Sequence, residues 1–142
     1  MEVSAVRRHV LSVITSARAR AQERRERADA AQAAYEPVLE RILVPIARQV
    51  TSVLRAEGHP FTVSTPGRSV RISSDHGRDD YLELSLRTDV DPPTVVGRVR
   101  RVRGSRTIDE ERPVRTDTPP QDLTEEDVLE FIAAALEPWL EP

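Results

Sequence analysis

Apolar residues change their spacing twice along this chain, and that change narrows the possible folds more than any motif does. They recur every three to four residues at the start, every second residue in the middle, and every three to four again at the end. A period near 3.6 lines one side of a helix, and a period of two lines one face of a strand. The sharpest part of the middle pattern is Leu82, Leu84 and Leu86 alternating with Tyr81, Glu83, Ser85 and Arg87. One dry and one wet face suit an antiparallel sheet covered by helix on a single side. The expected class is α+β: a long kinked N-terminal helical region, an antiparallel meander of about five strands, and a C-terminal amphipathic helix packed on one sheet face.

The first region, to about residue 58, contains eleven of the fourteen alanines and one glycine, Gly58. Val3, Val6, Val10, Val13 and Ala17 form one stripe. The stripe fades through the polar stretch Arg18 to Asp29, where Glu23 and Arg27 have the i,i+4 spacing of a favourable ion pair. From Tyr35 onward, Leu39, Ile42, Leu43, Ile46, Val50, Val53 and Leu54 make a wider face. A break near Tyr35-Glu36 would put Pro37 in a first turn, where a missing N–H costs nothing. Pro45 sits mid-pattern and predicts a kink near Arg41. Gly58 reads as a C-terminal cap.

In the middle region, Thr65-Pro66-Gly67-Arg68 has the order of a type II turn. Val70 and Ile72 alternate with polar residues, and Asp75 to Asp80 is a polar loop. After a break at Asp89 to Pro93, Thr94–Arg103 and Arg106–Arg115 form a last pair. Gly104-Ser105 joins them as a type II′ turn. Beyond Pro119-Pro120, Thr124 and Asp127 have capping-box spacing, and Leu123 and Val128 that of a hydrophobic staple. Val128, Ile132, Ala135, Leu136 and Trp139 line the helix that follows.

Composition removes several classes of function. At 142 residues the chain fits one domain, and its 36 Val, Leu, Ile and Phe residues supply a modest core. No apolar run approaches the roughly 20 residues of a membrane span. Arg7, Arg8 and His9 interrupt what would be a signal-peptide core. The chain has no cysteine, hence no disulfide or thiol nucleophile. A cytoplasmic address is expected. All 21 basic residues are arginine, as codons rich in G and C favour. The lack of lysine removes Schiff-base and phosphate-loop lysine chemistry.

Two arginine clusters stand out. Arg98, Arg100, Arg101, Arg103 and Arg106 lie within nine residues, and Arg18, Arg20, Arg24, Arg25 and Arg27 punctuate the first helix. Such stripes neutralise nucleic-acid phosphates, and Arg98, Arg101, Arg103, Arg106, Arg18 and Arg24 are the contacts that reading selects. The structural alternative pairs Arg100 with Asp109 and Arg98 with Glu111 across the hairpin. It leaves Arg101, Arg103 and Arg106 to the acidic last helix. A net charge of −3 also argues against nucleic acid, and a helix stripe without large inserted apolar groups is a poor membrane binder. Asp75, His76, Asp79 and Asp80 share a loop but not a metal-ligand pattern. No nucleophile elbow, phosphate loop or dinucleotide fingerprint is present. No catalytic residue, cofactor or metal ligand is assigned. An enzymatic or ligand pocket would have to draw on Tyr81, Glu83, His59 or Trp139.

The stripe Val3, Val6, Val10, Val13 and Ala17 has no place in a two-layer helix–sheet sandwich, and an unpacked helix gains little from propensity. Its heptad-like spacing suits a partner helix, most simply another copy of itself. The chain therefore divides into a protruding oligomerisation helix, residues 1–35, and an α+β domain, residues 36–142. The order of a leading helix, a meander and a closing helix is similar to that of small dimeric nucleoid-associated proteins and of several bacterial chaperone and adaptor folds. The expected function is a non-catalytic binding or adaptor protein that self-associates as a homodimer and engages a protein partner. A nucleic-acid-binding regulator and a pocket-bearing enzyme are the alternatives.

Overall fold

Alanine, arginine, glutamine and glutamate dominate the opening segment, all residues that lose little freedom in a helix. They form α1, Val3–Val38. The computed structural model describes residues 1–77 and 79–141. α1 continues without interruption through a π-helical turn, Leu39–Leu43, into α2, Val44–Ala56. There is no break at Tyr35-Glu36: Pro37 lies inside α1, where its missing N–H leaves the Ala33 carbonyl without the usual donor. The effect of Pro45 takes the form of the π-helical turn. In that turn the Val44 N–H donates to the Leu39 carbonyl, five residues back. Pro45 thus disturbs the helix at Leu39–Leu43, the site of the kink expected near Arg41, while helical structure continues on both sides. α2 ends in a Schellman motif. Gly58, at φ +87°, donates to Arg55 O at 3.1 Å, and His59 donates to Leu54 O at 2.7 Å.

Five strands follow: β1 Phe61–Ser64, β2 Val70–Ser74, β3 Tyr81–Arg87, β4 Thr94–Arg103 and β5 Arg106–Pro113. They form one antiparallel sheet in sequence order, a plain meander. Gly67 has φ +61°, the left-handed conformation anticipated at the β1–β2 turn. In the β4–β5 turn only Gly104 of its two residues has positive φ, as a type II′ turn demands. Arg78, within the polar loop between β2 and β3, lies outside the described residues.

A short 3₁₀ turn, Pro120–Asp122, leads into α3, Glu125–Leu140. Thr124 caps it: its hydroxyl accepts from the Asp127 N–H at 3.1 Å while the Asp127 carboxylate accepts from the Thr124 N–H at 3.1 Å. The capping box is therefore complete with Asp in the position usually held by Glu.

α2 and α3 cover one face of the sheet. Leu43, Ile46 and Leu54 meet Val70, Ile72, Leu82 and Leu84 from below and Val128, Ile132 and Leu136 from the side. One position makes this layer possible. Gly97, in β4 opposite Leu84, lies beneath the Phe131 ring. A Cβ there would stand 2.1 Å from Phe131 Cε1, so only glycine lets the ring lie on the sheet. No helix among the described residues is long and apolar enough to cross a membrane.

Candidate functional site

The first twenty residues, Ala5 apart, are exposed throughout. Val3 is 82% exposed and Val13 53%, with Val6, Val10, Leu11 and Ile14 also open to solvent. Contact with the rest of the molecule begins at Ala21. There Ala21 and Ala28 line a cleft of about 430 Å³ against the β3–β4 loop, and Arg27 reaches Asp91 at 3.5 Å. That contact replaces the Glu23–Arg27 pair expected within the helix.

The exposed stripe and the buried side of α1 are one surface. Val3, Val10, Ala17, Ala21, Ala28 and Tyr35 follow one another at intervals of seven, seven, four, seven and seven, which keeps them on a single side of the helix. Tyr35, at the end of this row, is fully buried. Its hydroxyl donates to Arg68 O at 2.7 Å, and burial pushes its pKa well above the ordinary tyrosine value. Val3 to Ala17 thus extends a packed face beyond the end of the body it packs on.

The sheet face away from the helices carries a charge lattice. Its register sets Arg98 opposite Glu111 and Arg100 opposite Asp109, as the sequence implies. The ion pairs run diagonally instead. Arg98 holds Asp109 through two hydrogen bonds, at 2.9 and 2.7 Å, and Glu111 is taken by Arg87 at 2.8 Å. A long guanidinium reaches the diagonal neighbour as easily as the opposite one, and the fork geometry rewards the two-pronged contact. Arg87 also grips Asp89. The hydrogen bonds from Arg98 and Arg87 hold Asp109 and Asp89 below the usual carboxylate range. Arg71 pairs with Glu83 at 3.2 Å and lies 4.1 Å from the Tyr81 ring centroid.

Arg101 lies on the helix side, where its guanidinium stacks over the Trp139 ring at 5.6 Å, a cation–π contact in place of the expected acidic partner. The last helix instead pairs Asp127 with Arg115 at 3.3 Å. Arg103 and Arg106 face each other in register at the hairpin tip, both exposed. Arg18 and Arg24 are exposed on α1, remote in sequence and element from that tip. Their separation spreads the selected arginines over three elements, α1, β4 and β5.

Two carboxylates of the β2–β3 loop, Asp75 and Asp80, are structural clasps. Asp75 accepts from Thr62 Oγ1 at 2.6 Å and Arg55 Nη2 at 2.9 Å, and the Thr62 hydrogen bond is the main cause of its lowered pKa. Asp80 accepts from Trp139 Nε1 at 3.1 Å and the Val102 N–H at 2.9 Å, tying α3 to β4. Among the described residues no three carboxylate or imidazole groups cluster as metal ligands. Tyr81, Glu83, His59 and Trp139 do not converge: Tyr81 and Glu83 occupy the open sheet face with Arg71, while Trp139 packs edge-on to Phe61 on the other. His59 stays at the α2–β1 junction.

Sequence reasoning missed one surface. Val53 was grouped with the packed residues of α2, yet it is 62% exposed. With Val50, Leu129, Ala133, Leu136 and Leu140 it lines an apolar groove of about 380 Å³ between α2 and α3. The signal was present in α3, where Leu129 and Ala133 lie off the face of Val128 and Ile132. No protein-family model matches the chain, and no curated protein and no solved structure is significantly similar to it.

Proposed function

We propose that this protein is a non-catalytic cytoplasmic binding or adaptor module that self-associates through the projecting half of α1. One observation carries the reading: six large apolar side chains, Val3 to Ile14, stand in solvent on a stretch of helix that nothing else among the described residues covers. Such a helix is poorly stable by itself in water, and burying its stripe against a second molecule supplies the missing packing. Contiguous apolar surface of this kind marks interaction sites. Closed homodimers are the commonest way to cover it. The adaptor role draws its support from the sheet, whose open-face carboxylates are occupied by arginines instead of being held ready for chemistry.

Light scattering coupled to size exclusion tests the reading. The full-length chain is expected to run at twice 16.0 kDa, and Val6→Asp/Val13→Asp at the monomer mass with unchanged Trp139 fluorescence, which reports the folded sheet domain. A wild-type monomer at tens of micromolar would remove the proposal.

A further inference from the structure

The geometry points to the α2–α3 groove as the seat of the projecting helix of a second copy. The inference rests on the self-association reading and specifies what the stripe meets. The groove cannot take its own stripe. α1, the π-helical turn and α2 are one continuous helical segment, and the forty residues from Val10 to Val50 separate the two surfaces by up to about 60 Å at 1.5 Å per residue. Bringing them together within one chain would require breaking that helix.

Length, polarity and charge match between copies. The stripe from Val3 to Ala17 is about 21 Å long, and the thirteen residues of α2 extend about 20 Å. Groove and stripe are both aliphatic: Val53, Val50 and Leu129 on one side, Val6, Val10 and Val13 on the other. Their flanks carry opposite charge. Glu126 and Glu137 lie three or four residues from Leu129 or Ala133 and so border the groove. Both are exposed, and the ion pair of α3 among the described residues uses Asp127 instead. Arg7, Leu11, Ile14 and Arg18 follow at intervals of four, three and four, so two arginines border the stripe. Residues 1–20 contain four arginines and a single carboxylate; α3 contains five carboxylates and no basic residue. Opposed fields of this kind orient two surfaces on approach. An exchange of helices between two copies fills both grooves and covers both stripes.

Mixing two variants tests the arrangement. Val53→Asp/Leu129→Asp alters only exposed groove positions, so the fold is kept, as thermal unfolding will verify. The dimer dissociation constant should rise by about tenfold or more, because a carboxylate is buried without a partner. Val6→Asp/Val13→Asp should do the same. A one-to-one mixture should recover dimer, because the intact stripe of the groove variant fits the intact groove of the stripe variant. Glu126→Arg/Glu137→Arg should also weaken the wild-type dimer, by setting arginine against Arg7 and Arg18. If the groove variant dimerises as wild type while the stripe variant does not, the stripes pair with each other; the groove inference fails and self-association stands. If the stripe variant also leaves the mass unchanged, both fall.

Discussion

At the scale of single residues, Gly97 has the largest leverage on the fold. It is neither in a turn nor at positive φ; its role is to be absent under the Phe131 ring. Gly97→Ala drives a methyl group into that ring and against Leu84, so the protein should lose about 1–3 kcal/mol of stability, the usual range for overpacking. Urea unfolding followed at Trp139 measures it, and a midpoint equal to wild type would contradict the packing described. Phe131→Leu in the same chain should recover part of the loss. The alternating pattern marks residues 94–103 as a strand, yet nothing in that pattern distinguishes a glycine tolerated there from one required. The requirement comes from Phe131, thirty-four residues away. Arg98 makes the same point. Its strand register was legible, but its partner depended on the reach of a side chain across the sheet, and Asp109 took the place of Glu111.

At the scale of elements, the β4–β5 hairpin and the β3–β4 loop are joined through carboxylates held by Arg98 and Arg87. Asp109 and Asp89 have native pKa values below their unfolded ones. Their contribution is therefore fully present above the unfolded value, near 4, and is lost as pH falls through the lower native value. Thermal midpoints should be flat from neutrality to about pH 5 and fall below about pH 4. Asp109→Asn should flatten that acid slope; an unaltered slope would mean the Arg98 contact contributes nothing. Elements were legible where local chemistry decides them: the strict alternation of β3, the Thr124–Asp127 box, the Gly58 cap and the Gly104-Ser105 turn. They were only partly legible where the backbone had a further option. The disturbance from Pro45 was legible near Arg41, but its form, a π-helical turn, was not, because helical spacing does not register one extra residue in a turn. Exposure of Val53 was illegible for another reason: helical spacing identifies a face but not how much of it the neighbouring helix covers.

At the scale of the whole molecule, charge is sorted by element: arginine on α1, carboxylates on α3, and both signs interleaved on the open sheet face. That sorting predicts poor nucleic-acid binding despite 21 arginines. Within the Arg98 cluster, Asp109 engages Arg98 and Trp139 engages Arg101, and Arg18 and Arg24 stand on a separate element. A fluorescence titration with duplex DNA at low salt should show no saturable binding, whereas steep salt-dependent binding would favour the regulator reading. The unbroken course from Val3 to Ala56 has a mechanical corollary. Helical structure runs from its tip to its base, so the segment acts as a lever whose one widened turn, Leu39–Leu43, sets where it bends. A partner gripping one end turns the other, and any assembly built from such chains inherits a spacing dictated by helical rise.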